Sequence, residues 1–215
     1  MSRLLALPRL SAAPTLRVRP LLAAFVLLAG LSFANPQAGR AAEADAFIRT
    51  VGSETLEVLA ARSADTAKRE ALVRDLLEKH LDLEGVSRFC LGRYGRQLND
   101  GQAKEYDGLF VDYMVKVYSG LLAQYDGQTL SVQDGVNRDN EATQIVLSQI
   151  NRKSGPPIRV EWKVVNKGGV PKVTDVIIEG VSMAFTQRQQ FESVLQNNGG
   201  KMDALFTAMR RQISR

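Results

Sequence analysis

The chain has 215 residues, with 28 lysines and arginines against 23 aspartates and glutamates, one cysteine and one histidine. A single cysteine excludes an internal disulfide, and so few sulfur and imidazole ligands predict neither a transition-metal site nor another cofactor. Five basic residues and no acidic residue lie within residues 1–42, so residues 43–215 carry 23 of each sign. A neutral domain lacks the basic field that nucleic-acid binding and strong attachment to anionic lipid require.

Residues 1–42 have the features of a secretory signal peptide. Four arginines precede an apolar run from Leu21 to Phe33, and small residues follow that allow cleavage between residues 34 and 42. The apolar run is short for a transmembrane helix. A mitochondrial presequence and an uncleaved anchor are the alternatives for this segment. We expect an exported protein whose mature part, residues 43–215, is one domain with a sizeable core.

The first part of the mature chain is predicted to be helical. Apolar residues recur at three- and four-residue steps in four segments, which are Ala46–Ala61, Thr66–His80, Leu83–Leu91 and Gln102–Tyr125. The last of these is the longest, and its apolar stripe is rich in tyrosine. We expect most of that stripe to pack in the core, although tyrosine also suits a surface with one apolar side and one wet end.

The middle of the chain is predicted to form a four-stranded antiparallel sheet. Four extended segments, separated by residues typical of turns, are Thr129–Asn137, Glu141–Arg152, Ile158–Lys167 and Val170–Glu179. Short connections make neighbouring strands antiparallel, so the sheet is a meander.

Alternation along the strands predicts that one sheet face is mostly apolar. Val160, Trp162 and Val164 point to a common face of the third strand. In the fourth strand, Val176 and Ile178 are predicted to face away from Val173 and Ile177. Helices must cover at least one of these faces.

Two further helices are predicted after the sheet. Thr186 is the predicted N-cap of the first, with Gln189 as its capping-box partner, and Met202–Ile213 forms the second. The fold class is therefore α+β, with N-terminal helices, a curved antiparallel sheet and C-terminal helices that fold back onto it.

Three side chains are candidates for chemistry, and each has a structural alternative. His80 ends a predicted helix, where the helix dipole favours it. Cys90 is either a small buried hydrophobe or a reactive thiol. Asp175 lies within an apolar strand, where it is either a hydrogen-bonded structural residue or a catalytic or ligand-contacting carboxylate. No hydrolase, zinc-protease or phosphate-loop motif accompanies them, so we do not expect an enzyme.

The segment VTDVIIEGVSMAFTQRQQFESVLQNNGG resembles the hallmark of the MlaC family, also called the toluene-tolerance family. That family has Asp-Val-x-x-Glu-Gly-Val-Ser followed by Arg-x-x-Phe, which correspond here to Asp175–Ser182, Arg188 and Phe191. Upstream, FCLGRYGRQLNDGQAKEYDGLF and LLAQYDGQTL resemble other family elements. The order of elements matches from about Ala46 to Met209.

The chain departs from the family pattern in two places. The family often has tryptophan at the position of Gly95, and Trp-Lys-x-Tyr-Asp where this chain has Val170–Asp175. A relative associated with hopanoid-producing systems resembles the segment EGVSMAFTQRQQF. A hopanoid or other apolar lipid is therefore an alternative ligand.

The resemblance implies a periplasmic carrier of phospholipid with an NTF2-like cone around an apolar cavity. It also implies two partners, an inner-membrane ABC transporter complex and an outer-membrane lipoprotein complex. From the apolar faces, the residues predicted to line the cavity are Phe110, Tyr113, Met114, Val146, Trp162, Val164, Ile177, Met183 and Phe185. The other functional hypotheses are an exported NTF2-like enzyme that uses Asp175 and a scaffolding domain with a solid core.

Overall fold

The computed structural model describes residues 36–60, 65–122, 125–134 and 142–215. The helices are α1 Pro36–Ala60, α2 Thr66–His80, α3 Leu83–Leu91, α4 Asp100–Leu122, α5 Met183–Asn197 and α6 Met202–Ile213, with a 3-10 turn at Gly92–Gln97. The strands are β1 Thr129–Val132, β2 Thr143–Asn151, β3 Ile158–Lys167, β4 Val170–Ile178 and β5 Val181–Ser182. None of the described helices is long and apolar enough to cross a membrane.

The predicted α+β class is confirmed, with one additional strand. The sheet has the order β1-β2-β3-β4-β5 with antiparallel neighbours, so the meander is also confirmed. The added strand is the two-residue β5. Helix α1 begins at Pro36 rather than at Ala46, because small residues without apolar periodicity form its start. The predicted turn Asn137–Asn140 and the apolar run Leu21–Phe33 lie outside the described residues.

A bulge in β4 changes which side chains share the inner face of the sheet. Lys163 pairs with Asp175, whereas the next residue of β3, Val164, pairs with Val173, so Thr174 is an extra residue. Directly paired residues point to the same face, and an inserted residue reverses the alternation. Val173 therefore lies on the same face as Trp162 and Val176. The prediction that Val173 faces away from Val176 is wrong.

Helix α1 covers this inner face. Ile48 and Val51 of α1 pack against Val146, Val164 and Val173, all of which are almost completely buried. The sheet therefore has one face covered by a helix, as its apolar pattern predicts.

The remaining helices form a second core. Phe191 of α5 meets Tyr106, Phe110 and Tyr113 of α4 edge-on, with ring centroids 5.6–6.4 Å apart. Edge-to-face contacts of this kind stabilise aromatic pairs beyond their buried area. Tyr106 also donates a 2.9 Å hydrogen bond to the carbonyl of Ser87. The expectation that most of the aromatic stripe packs in the core is confirmed.

The connection from β4 to α5 is a tight hairpin followed at once by a helix. Glu179 and Gly180 both have positive φ, of 48° and 83°, as a two-residue type I′ turn requires. Ser182 then caps α5, since its Oγ accepts from the backbone N–H of Phe185 at 3.0 Å. The prediction that Thr186 is the N-cap is wrong, because its Oγ1 donates to the Ser182 carbonyl from within the first turn.

Candidate functional site: two apolar cavities

Two apolar cavities adjoin the sheet within the described residues. The first, which we call the α5 cavity, has a volume of about 410 Å³ and lies among α3, α4, α5 and β4. Four consecutive residues of β4, Val173–Val176, contribute to its wall. Successive residues of a strand point to opposite faces, so only a strand edge presents all four. Strand β5 does not extend along this stretch, because it pairs only with Ile177 and Ile178, and Leu81 pairs with Val173 at its far end.

The second cavity, which we call the α1 cavity, has a volume of about 460 Å³ and lies between α1 and the first three strands. Its wall is mainly apolar and includes Leu56, Leu59, Leu130, Ile150, Ile158 and Trp162. Both volumes fall within the roughly 300–1,000 Å³ typical of small-molecule sites.

One cross-strand pair contributes a residue to the wall of each cavity. Trp162 of β3 lines the α1 cavity, and its direct partner on β4, Val176, lines the α5 cavity. The indole N–H of Trp162 donates to Ser148 Oγ at 2.8 Å, and that hydroxyl donates to the Val160 carbonyl at 3.2 Å. These buried hydrogen bonds hold the indole ring in one orientation.

The residues predicted to line a single lipid cavity are distributed over several environments. Four of them line the α5 cavity, namely Phe110, Tyr113, Met114 and Met183, and Trp162 lines the α1 cavity. Val146 and Val164 are buried in the core beneath α1. Ile177 is half-buried on the opposite face from Val176, and Phe185 is 50% exposed on the first turn of α5.

Asp175 has a structural role that accounts for its place in an apolar strand. Its carboxylate accepts from Ser182 Oγ at 2.7 Å and from the backbone N–H of Ala184 at 3.1 Å. Lys163 Nζ lies 3.7 Å away. A carboxylate at a helix N-terminus is favoured by the unpaired amides and by the dipole, so Asp175 ties β4 to the start of α5.

The other two candidate reactive residues, Cys90 and His80, are buried in the core. Cys90 is fully buried, and burial together with the negative charge of Asp175 raises the pKa of its thiol to about 12. His80 is buried at the end of α2, with Nε2 2.7 Å from Glu54 Oε2 and its ring 5.6 Å from that of Phe47. It therefore links α2 to α1. The prediction that Cys90 is a small buried residue is confirmed.

Sequence reasoning did not predict the polar part of the α5 cavity wall, which includes Tyr118 and Gln187. Burial and the nearby charge of Asp175 raise the pKa of Tyr118, which keeps its hydroxyl neutral. Gln187 accepts a 3.3 Å hydrogen bond from the Tyr113 hydroxyl through Oε1, while its buried Nε2 has no hydrogen-bond partner among the described residues. Gln187 is one of three glutamines in the segment TQRQQ, and nothing in that pattern distinguishes it from the others.

Comparison with known proteins relates the chain to lipid-binding proteins. The family model described as "MlaC protein" matches residues 49–211. The toluene tolerance protein ttg2D of Pseudomonas putida is 27% identical over 143 residues, which cover 66% of each chain and thus just under two thirds of that relative. The intermembrane phospholipid transport system binding protein MlaC of Haemophilus influenzae is 26% identical over 146 residues, covering 66% of this chain and 67% of that one.

A solved structure shares the fold. The phospholipid-binding protein from Ralstonia solanacearum, determined in complex with a phospholipid, superposes with a TM-score of 0.67. The superposition covers 79% of this chain and 96% of that one, at 21% sequence identity.

Proposed function

The chain belongs to the MlaC family, and from this premise we propose that it carries a diacyl phospholipid between membranes or membrane complexes. The observation that supports this most is the pair of apolar cavities, one lined by Trp162 and the other by its cross-strand partner Val176. Two separate cavities suit a ligand with two flexible chains. A fused polycyclic lipid is rigid and cannot divide around an indole ring, so the geometry favours a phospholipid over a hopanoid.

The lipid contacts that we propose follow from this arrangement. One acyl chain occupies the α5 cavity against Phe110, Tyr113, Met114 and Met183. The other occupies the α1 cavity against Trp162 and its neighbours. Gln190 lines the α5 cavity and is exposed, so we place the opening of the cavity there, where the head group remains in water.

The energetics of this exchange make the protein a carrier rather than a pump. Two acyl chains of about 16 carbons bury roughly 30 methylenes at about 0.8 kcal/mol each, about 24 kcal/mol in all. A bilayer buries nearly the same area, so transfer between protein and membrane is close to neutral. Direction must then come from a partner that uses energy, for which we propose an inner-membrane ABC transporter complex, with an outer-membrane lipoprotein complex at the other end.

Export to the periplasm belongs to the same proposal. Residues 1–42 have the composition of a cleaved leader, and the relatives include an intermembrane phospholipid transport protein. Edman sequencing of the mature protein tests this part, since we expect an N-terminus between residues 35 and 43.

Native mass spectrometry of the protein purified without detergent tests the carrier function. We expect a complex that contains one phospholipid per chain, and we expect stripped protein to regain the lipid from vesicles. A folded chain that neither copurifies with lipid nor takes it up from vesicles would contradict the proposal. Turnover of a small substrate, lost on Asp175→Asn, would instead support an enzyme.

A further inference from the structure

Exposed apolar side chains are concentrated around the start of α5. Four large apolar side chains are exposed among the described residues, and three of them belong to this region. They are Phe89 on α3, Val181 on β5 and Phe185 on α5, which are 43%, 54% and 50% exposed. Single apolar residues scattered over a surface are ordinary, whereas a cluster of them marks an interaction site. We call this cluster the exposed patch.

The contact between α3 and α5 brings the two phenyl rings of the exposed patch close together. Cys90 Sγ donates to the carbonyl of Ala184 at 3.8 Å, so the two helices meet at these buried residues. Phe89 and Phe185 are their neighbours in the chain, and both are exposed. The guanidinium of Arg188, one turn after Phe185, lies 5.4 Å from the centroid of the Phe89 ring and links the two helices across the surface.

Val181 is held near Phe185 by the cap of α5. Ser182 follows Val181 in the chain, and its Oγ accepts from the backbone N–H of Phe185 at 3.0 Å. Met183 and Ala184, in the same helical turn, line the α5 cavity. The start of α5 therefore has an outer side that is exposed and apolar and an inner side that lines the cavity.

Basic side chains border the exposed patch. The segment Leu83–Gln97, which forms α3 and the 3-10 turn, contains three arginines and one acidic residue, Glu84, for a net charge of +2. Arg88, Arg93 and Arg96 are all exposed. Because residues 43–215 are neutral as a whole, this excess of positive charge is a local feature of the surface beside the patch.

The charge of this surface argues against self-association through the exposed patch. In a two-fold dimer the same surface faces itself, so the arginines of two copies would be brought together and would repel. Arg188 does not change this balance, since it is paired with Glu192 at 3.4 Å. The surface of an anionic bilayer instead offers phosphates to the arginines and acyl chains to the phenyl rings.

We propose that the exposed patch is a docking surface for an anionic phospholipid bilayer, with Phe89, Val181 and Phe185 entering the boundary between head groups and acyl chains. The bordering arginines pair with lipid phosphates. This inference rests on the proposed carrier function, since a carrier must approach the membranes with which it exchanges lipid. Docking is weak and reversible, because the domain is neutral overall and only three apolar side chains enter the bilayer. It places the start of α5, and with it one wall of the α5 cavity, against the membrane.

Co-sedimentation with sucrose-loaded vesicles tests the proposal, using protein whose leader has been removed. The vesicles contain either phosphatidylcholine alone or phosphatidylcholine mixed with phosphatidylglycerol. We expect wild-type protein to bind the anionic vesicles more tightly than the neutral ones. The double variant Phe89→Ser, Phe185→Ser should bind the anionic vesicles about tenfold less tightly, because two half-exposed rings no longer enter the bilayer.

Val170→Ser is the matched control. It replaces an apolar side chain of similar exposure, 52%, at the opposite end of β4, roughly 25 Å along the strand from Ile178. This variant should bind both kinds of vesicle as wild type does.

A second double variant, Arg93→Gln, Arg96→Gln, tests the electrostatic part of the proposal. It should weaken binding to anionic vesicles and leave binding to neutral vesicles unchanged, because it removes two positive charges and no apolar side chain. It also keeps the proposal testable if the phenylalanine variant does not fold, which circular dichroism melting establishes for each protein.

The outcomes separate this inference from the function on which it rests. If wild-type protein carries lipid by native mass spectrometry but does not bind vesicles, or if the phenylalanine variant binds them as wild type does, docking through the patch is overturned and the carrier function stands. If wild-type protein binds anionic vesicles through the patch but never carries lipid, the carrier function fails and the docking surface stands. A wild-type dimer in light scattering that the phenylalanine variant abolishes would make the patch an interface between copies and overturn the proposal.

Discussion

Trp162 and Val176 lie directly opposite each other on β3 and β4, and each lines a different apolar cavity. The pair therefore joins the walls of two spaces of similar volume, about 460 and 410 Å³. The sheet therefore does more than support a core. It divides the lipid site that we propose, with one chain under α1 and the other at the edge of β4.

Filling the α1 cavity should block lipids with two chains while sparing lipids with one. Leu56→Trp adds a large ring to a half-buried position in the wall of that cavity. We expect binding of dipalmitoyl phosphatidylcholine to weaken by roughly tenfold or more, because overpacking excludes one chain. Lysophosphatidylcholine should bind as before through the α5 cavity.

The control for this substitution is Val170→Trp, which places the same ring at a position that is 52% exposed on β4. It should leave the affinity for both lipids unchanged. Equal loss of lysolipid and diacyl lipid in Leu56→Trp, measured by isothermal titration, would argue for a single undivided cavity.

Removing the hydrogen bond that holds Trp162 should destabilise the protein. Ser148→Ala leaves the indole N–H without its 2.8 Å acceptor, and the free energy of unfolding should fall by about 1–3 kcal/mol. Urea denaturation of lipid-free protein measures the change. Ser131→Ala removes an exposed hydroxyl that accepts from Asn151 at 2.8 Å and should cost about 1 kcal/mol or less. Equal losses of unfolding free energy in the two variants would show that the buried hydrogen bond stabilises the protein no more than the exposed one.

Asp175 should prove to be a structural residue. Asp175→Asn replaces a charged acceptor that bonds Ser182 Oγ and the Ala184 amide, so we expect a loss of about 2–3 kcal/mol in unfolding free energy. Glu84→Gln is the control, because Glu84 pairs with Arg88 on the surface and such pairs contribute about 0.5 kcal/mol or less. An Asp175→Asn variant as stable as wild type would refute the structural role.

Cys90 should be unreactive in the folded protein. Burial first, and then the charge of Asp175, raise the pKa of its thiol from 9.0 to about 12. This shift lowers the thiolate fraction at pH 8 by about a thousandfold relative to an unfolded chain. Only the thiolate is nucleophilic, so the folded protein should react slowly. Iodoacetamide labelling followed by mass spectrometry should therefore give little adduct in buffer and rapid labelling in denaturant.

The same pKa shift predicts a dependence of stability on pH. The unfolded chain releases the Cys90 proton near pH 9 while the folded chain retains it until about pH 12. Because the folded state then binds more protons, stability should fall as the pH rises through that interval. Cys90→Ala should fall less steeply over the same range in urea titrations, whereas an identical slope would contradict the raised pKa.

Regular periodicity explains what the sequence could predict about the fold. The boundaries of α2, α3, β3 and α6 match their predicted segments, since each has an uninterrupted apolar pattern between clear end signals. Irregular features explain the errors. Thr174 is an extra residue in β4, so Val173 points to the face opposite to the predicted one. The sequence VTD has no feature that predicts a bulge.

The candidate site was less predictable than the fold, because it depends on how elements meet. Phe110, Tyr113 and Met114 share one stripe of α4, and their place in the α5 cavity follows from that stripe. Val146 and Val164 show the same apolar alternation as Trp162, yet α1 packs directly on them, and neither lines the α5 cavity or the α1 cavity. The sequence does not predict that Gln187 Nε2 lacks a partner among the described residues, because this depends on which side chains surround it in the fold.

Fluorescence quenching tests the central claim most directly, because Trp162 is the only tryptophan in the chain. Loading with a phospholipid brominated along its acyl chains should strongly quench the emission of Trp162, since heavy atoms quench an indole ring that they contact. The same lipid with unlabelled chains should not. Full emission from protein that native mass spectrometry shows to contain the brominated lipid would contradict a site divided by Trp162.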